Sequence, residues 1–461
     1  MVYCGPLLFQ AFILMLGAFT FGYVLGYPSP VVPEIQETYN ISDSESAFFN
    51  SVSSLLAIAG PFVSHGLTKF TTRKISTFII SVSGAVFWAL LLLMNKKLIW
   101  YGIVLRGLLG IVMGAYSSII PMYIVEIAPE GHTAFFGTLN NLGIGIGLVI
   151  LFLLGNWLKW RVLTIIGACI CALLAGLIWL VKDSPVDTKV EDDNIDNLSN
   201  EKEVENKLDE KVKENGENNN SNESESTPEI KISEGKNSDV ENPDASSKKG
   251  ICQKKYIKGL LIGCMFMFFQ QFSGINGILT NLTTLFNKAG IKVNQGIASA
   301  ISSSAQVITI FISSFFVEKF GRKPAWCISA SGIVVFLLLY GFSARNDLGY
   351  VTPVAAIFGF LFFFGLGSGP IAWYIVPELF DADVRSAATS IASSVNWISS
   401  FVVVQVFTAL DKAIGTLLTV VIFAIISTLS VVFGIFCIYE PNRKDYCLRF
   451  NLVYNINNAD A

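Results

Sequence analysis

Stretch after stretch of this chain is too long and too apolar to be stable in water. Crossing the hydrocarbon of a bilayer takes about 20 apolar residues, and a scan for such runs finds about twelve. They fall near residues 8–27, 47–67, 75–95, 98–125, 134–156, 160–181, 256–286, 295–317, 324–344, 350–377, 386–410 and 414–438. Only 15% of the 461 residues are charged, against about 25% in soluble domains, so the chain is read as an integral membrane protein. The opening MVYCGPLLFQAF has no basic leader region, and the apolar run after it is too long for a signal peptide; it is read as the first span.

Between residues 186 and 250 the character changes. This segment holds 19 of the 35 acidic and 9 of the 32 basic residues, leaving 23 basic and 16 acidic elsewhere. Rich in Glu, Asn, Ser and Lys and almost free of aromatics, it cannot bury enough apolar surface to offset ordering, and is expected to be a disordered linker. It divides six spans from six, which suggests two related bundles: an N-terminal one over 1–185, a C-terminal one over 251–440, and a tail over 441–461. With the linker in the cytoplasm, 17 Lys and Arg residues near span ends fall on that side and 8 on the other. This bias places both termini in the cytoplasm and Asn40, in Asn40-Ile41-Ser42, outside as a glycosylation acceptor. The eight cysteines form no CxxC pair, and two distant histidines make no metal site.

One span carries an anomaly. QQFSGIN (270–276) sets Gln270, Gln271, Ser273 and Asn276 directly after LLIGCMFMFF. Hydrocarbon cannot satisfy amides, so these groups must face water, another helix or a polar ligand. Four further stretches belong with it: LRGLLGIVMG (105–114), PMYIVEIAPEGHTAFFG (121–137), VEKFGRKP (317–324), and GSGPIAWYIVPELFDADVR (367–385) with NW at 396–397. In this order and at these positions the chain resembles the sugar porter (glucose transporter) family of the major facilitator superfamily, nearest its insect trehalose and hexose facilitators.

That resemblance implies an all-α membrane fold of twelve transmembrane helices in two pseudo-symmetric six-helix bundles. It also implies a central cavity in which Gln270, Gln271 and Asn276 bond sugar hydroxyls, a role suited to amides because they donate and accept at once. Trp373, within GPIAW, matches a tryptophan that stacks on the sugar, although tryptophan also serves membrane proteins as packing and interfacial anchor. Asn141 stands for the usual fifth-span glutamine. Gln306 fits a sugar contact and a helix–helix hydrogen bond equally, and Asn396 and Trp397 fit ligand and packing roles equally. Thr280 and Asn281 replace two tyrosines, Gly365 a glutamate of some members and Ser400 an asparagine, which makes the expected pocket roomier than a strict glucose site.

Charge clusters on the cytoplasmic side are expected to lock one state. Glu318, Arg322, Glu378 and Arg385 complete the set in the second half; in the first, Glu126 and Arg73 remain, while Lys69 and Thr133 replace an acid and an arginine, and KDSPV replaces PESPR. Lys69 and Lys74 read as ordinary solvated loop ends. Gly367, Gly369 and Pro370 interrupt the tenth span and are its expected hinge. Proton-coupled relatives carry an aspartate at the position of Val24; here no Asp or Glu falls mid-span, and Arg106 is the one clear interior charge, expected to pair with backbone or cavity groups. The expectation is therefore a uniporter for a neutral sugar such as a hexose, in the plasma membrane, with no cofactor, no nucleic-acid partner and no enzyme chemistry. A trehalose facilitator and a non-transporting sugar sensor stand as alternatives.

Overall fold

In the computed structural model, residues 5–129, 132–185, 187, 253–279, 295–346 and 351–438 are described. The expected linker (186–250, apart from Asp187), the tail (441–461) and Thr280 and Asn281 lie outside them. All the helices below belong to one unit formed by Met1–Ser184 and Ile251–Ala461.

Among the described residues the secondary structure is helical, without strands. In the first half run α1 (Gly5–Gly26), α2 (Pro28–Tyr39), α3 (Asp43–Leu56), α4 (Gly60–Phe70), α5 (Arg73–Leu91), α6 (Ile99–Ile127), α7 (Thr133–Leu154) and α8 (Trp160–Leu177). In the second run α9 (Lys254–Phe272), α10 (Gln295–Phe320), α11 (Arg322–Asn346), α12 (Val351–Leu366), α13 (Ser368–Glu378) and α14 (Ala382–Cys437). α14 holds two spans, Ala382–Asp411 and Ala413–Cys437, joined where Gly415 takes φ 82°. Eleven helical stretches among the described residues are long and apolar enough to cross a bilayer.

The remaining expected span, 47–67, is divided into α3 and α4 by a turn at 57–59. Pro61, in the first turn of α4, has no N–H to continue the ladder across that turn. The broken span is held by close packing on α6, where a Cβ on Gly110 would strike the Ser53 carbonyl and one on Gly114 the Ala57 carbonyl. With no hydrophobic force between helices in lipid, such backbone proximity is what holds them together.

α2 is not among the expected elements. It buries Val31 and Ile35, and Glu34 accepts the Trp160 N–H at 2.8 Å, capping the start of α8. At its end Asn40 is exposed, with φ 50°, and Ser42 opens α3 through a reciprocal capping box with Glu45.

The halves meet along α7 and α10, where Gly145 lies against Val307, and along α14, which packs on α4 and α6. Small hydroxyls line that second seam: Ser118 to Ser390 at 3.1 Å, Trp397 Nε1 donating to Ser117 at 2.9 Å, and His65 and Thr68 each 3.0 Å from Ser386.

Candidate functional site

At the centre of the bundle α1, α7, α9, α10, α12, α13 and α14 surround a cavity of about 60 Å³. Its polar wall is Asn141, Gln270, Gln271, Asn276 and Gln306; its apolar wall includes Phe21, Ile144, Ile275, Phe364, Trp373 and Trp397. Trp373 stands edge-on to Phe21, centroids 6.0 Å apart. Among the described residues, no charged side chain lines this space.

The local fold explains how one short stretch supplies three amides. The helix of span seven is interrupted at Ser273–Gly274 and resumes at 275–279. Gly274 takes φ 89°, a conformation that L side chains adopt only with strain. On an unbroken helix Asn276 would lie about 140° round the axis from Gln271; the break lets its Nδ2 donate to Gln271 Oε1 at 2.8 Å.

Two amides on facing halves keep unanswered groups. Asn141 Nδ2 on α7 and Gln306 Oε1 on α10 are buried without a protein partner. Both residues line the cavity, and an unpaired buried polar atom costs about 1–3 kcal/mol, so a hydroxylated ligand that reached this donor and this acceptor would relieve both. Asn140, next in chain to Asn141, likewise leaves both amide atoms unpartnered, a feature the sequence did not mark.

Of the residues expected at the site, Asn141, Gln270, Gln271, Asn276, Gln306 and Trp373 come together, whereas Asn396 does not reach the cavity wall. Its amide is spent on the glutamines behind it: Nδ2 donates to Gln270 Oε1 at 2.6 Å, and Oδ1 accepts from Gln271 Nε2 at 3.0 Å. Trp397, its neighbour, does line the space. Gly365 faces α10 so closely that a Cβ would lie 2.9 Å from the Gln306 carbonyl. A glutamate there could not fit without moving α10.

Span ten breaks as expected, between α12 and α13 at Gly367 (φ −149°, ψ −64°). The backbone groups freed by the break find serines: Ser329 Oγ donates to Phe363 O at 2.7 Å and accepts from Ser368 N at 2.9 Å, and Ser313 Oγ donates to Leu366 O at 2.6 Å. Such replacement is what lets irregular backbone exist at membrane depth. Neither serine stands out in the sequence, where serine in a span is ordinary.

Charges gather at the end where α4, α6, α10 and α13 finish. Glu126, with a side chain 1% exposed, takes Arg73 Nε at 3.2 Å, Ser184 Oγ at 2.6 Å and, from the other half, Arg385 Nη1 at 3.4 Å. Arg322 pairs with Glu378, with Nη2 at 2.9 Å from Oε1, repeating the Arg73–Glu126 relation in the second half. Glu318 meets His132 Nδ1 at 3.3 Å, again across the halves. Within KDSPV, Asp183 pairs with Lys74 at 3.0 Å, so Lys74 is not merely solvated.

Arg106 is fully buried. Its two Nη atoms each lie 3.3 Å from the Val24 carbonyl, Nη2 donates to Ser53 Oγ at 3.0 Å, and its Cζ sits 5.2 Å from the Tyr27 ring centroid and 5.6 Å from that of Phe49. It pairs with backbone and a hydroxyl, and with aromatic faces.

Residues 10–446 match the family model described as "Sugar (and other) transporter". Among curated relatives, Sugar transporter ERD6-like 8 of Arabidopsis thaliana is 30% identical, covering 85% of this chain and 81% of its own. The facilitated trehalose transporter Tret1 of Bombyx mori is 26% identical, covering 95% of this chain and 85% of its own. Among solved structures, the major facilitator proton:xylose symporter XylE bound to 6-bromo-6-deoxy-D-glucose superposes with a TM-score of 0.73 at 19% identity, over 94% of this chain and 96% of that one. The inward-open form of XylE from E. coli gives 0.64 at 18% identity, over 95% and 98%.

Proposed function

Because the chain belongs to the sugar transporter family of the major facilitator superfamily, we propose that it carries a neutral hexose such as glucose down its gradient as a uniporter, by alternating access. The observation that carries this reading is the cavity: uncharged, walled by aromatic rings, and bearing an unpaired donor on Asn141 and an unpaired acceptor on Gln306 from opposite halves. A pyranose supplies hydroxyls that answer both. Neutral hydrogen bonds contribute about 1 kcal/mol each, so several sum to millimolar affinity, about −4 kcal/mol, weak enough for release.

A cavity of about 60 Å³ falls well short of the roughly 300 Å³ of a small-molecule site, so the sugar would enter only after the halves part. The bridges from Arg385 to Glu126 and from His132 to Glu318 would close the cytoplasmic side until then. Support for uniport comes from the surroundings of Arg106, whose guanidinium is held by the Val24 carbonyl where a proton-coupled carrier would place a carboxylate. The membrane is proposed to be the plasma membrane, with both termini cytoplasmic and a glycan on the exposed Asn40; a glycosidase-sensitive mass lost in Asn40→Gln would support that orientation, and an unchanged mass would count against it.

The test is radiolabelled glucose and trehalose uptake into proteoliposomes at two external pH values, beside Gln271→Ala. Saturable glucose uptake, indifferent to pH and weakened by the substitution through a much higher KM, is the expected result. Preference for trehalose would reassign the substrate, pH-driven accumulation would end the uniport reading, and binding without uptake would make the protein a sensor.

A further inference from the structure

The amides around the cavity form a chain with one direction. Asn276 Nδ2 donates to Gln271 Oε1 at 2.8 Å, Gln271 Nε2 to Asn396 Oδ1 at 3.0 Å, Asn396 Nδ2 to Gln270 Oε1 at 2.6 Å, and Gln270 Nε2 to the carbonyl of Gly369 at 2.7 Å. Which end of a carboxamide is nitrogen has to be deduced from its partners, and here the last partner decides it. A backbone carbonyl only accepts. Gln270 must therefore turn its nitrogen to Gly369 and its oxygen to Asn396, and each earlier amide is fixed in turn. At the far end Asn276 Nδ2 also donates to Ser400 Oγ at 2.6 Å, so both of its amide hydrogens are committed.

From this geometry we infer that Asn396 is the positioning residue of the sugar site. It passes the orientation fixed at Gln270 on to Gln271, and links both, through Gln270, to the break in span ten. Asn396 is 1% exposed and does not wall the cavity, so it acts through the glutamines rather than on the ligand. Without it, Gln270 loses the donor to its oxygen and Gln271 the acceptor of its nitrogen. Gln270 keeps its hold on the Gly369 carbonyl, but Gln271, cut off from that fixed end, is free to rotate and present the wrong atom to a hydroxyl. Hydrogen bonds in such a file polarise one another, so a sugar that competes for any member shifts the rest, including the bond to Gly369 beside the break at Gly367. The sequence pattern alone leaves Asn396 between ligand and packing roles; the relay gives it a third.

The inference rests on the sugar reading of the cavity. Its test is the concentration dependence of sugar uptake in proteoliposomes for the unsubstituted protein, Asn396→Leu, Gln271→Ala and the double variant. Leucine is close in size and breaks both links. Asn396→Leu is expected to raise KM roughly five- to hundredfold, while the rate at saturating sugar changes far less. In the Gln271→Ala background the same substitution should add little, because residues in one network are not additive. Asn396→Ser, which retains a donor and an acceptor with a shorter reach, should fall between; it also serves if the leucine variant does not reach the membrane. An unchanged KM in a folded Asn396 variant, or a full independent effect in the Gln271→Ala background, overturns the inference. An unsubstituted protein that neither binds nor takes up sugar overturns the sugar reading and this inference together.

Discussion

Val24 and Arg106 show how much rests on single side chains. A buried guanidinium would ordinarily demand a carboxylate; here a carbonyl, a hydroxyl and two ring faces stand in for one. Replacing Val24 by aspartate adds an acid to the residue whose carbonyl that cation holds. The new carboxylate and the Arg106 guanidinium would stay paired at neutral pH and be released only as protons bind. Val24→Asp should therefore slow uptake at neutral pH and restore it in part on acidification, whereas the unsubstituted protein should show no such dependence. A flat pH profile in the variant would refute this account. The residue scale is also where the sequence was most and least informative. Gln270, Gln271 and Asn276 were legible because amides in an apolar run have few destinations. The roles of Asn396 and His132 were not, since each depends on a partner more than a hundred residues away.

Whole spans were readable from length and hydropathy, because hydrocarbon sets both, but their interruptions were readable only where glycine and proline cluster. The break in span ten announced itself through Gly367, Gly369 and Pro370; the turn dividing α3 from α4 did not, although Pro61 marks it in retrospect. α2 was hidden by its three prolines and its moderate hydropathy, and is held by contacts with α8 that no local pattern encodes. At the break in span ten, Ser329 serves a carbonyl and an N–H together. Ser329→Ala leaves both unanswered, at a cost of about 1–3 kcal/mol for each buried group. It should lower the detergent-solubilised melting temperature and impair transport, while Ser331→Ala on the exposed face of the same helix should do neither. Equal behaviour of the two variants would remove the role assigned to Ser329.

In the whole molecule, two arginine–glutamate pairs hold each half together, and thin cross-links hold the halves to one another. Of these pairs, the cross-links are the ones that must break for the charged end to open. Arg385→Gln removes the arginine that reaches Glu126 from the second half; a charge-assisted bond is worth about 1.5–3 kcal/mol. The inward-facing population should rise roughly ten- to hundredfold, measured as labelling of a cysteine placed at Ser390 from the cytoplasmic side. Unaltered labelling would mean that this bridge does not hold the state. The twofold logic of the bundle was visible in the six-plus-six spacing and the repeated charges, but the seam was not, because serines such as Ser118 and Ser390 carry no signal until they face one another. The uncharged lining of the central gap has a consequence of another kind. With no charged side chain facing it among the described residues, an ion shedding its hydration shell there would meet no opposite charge, a cost that a neutral cargo does not incur.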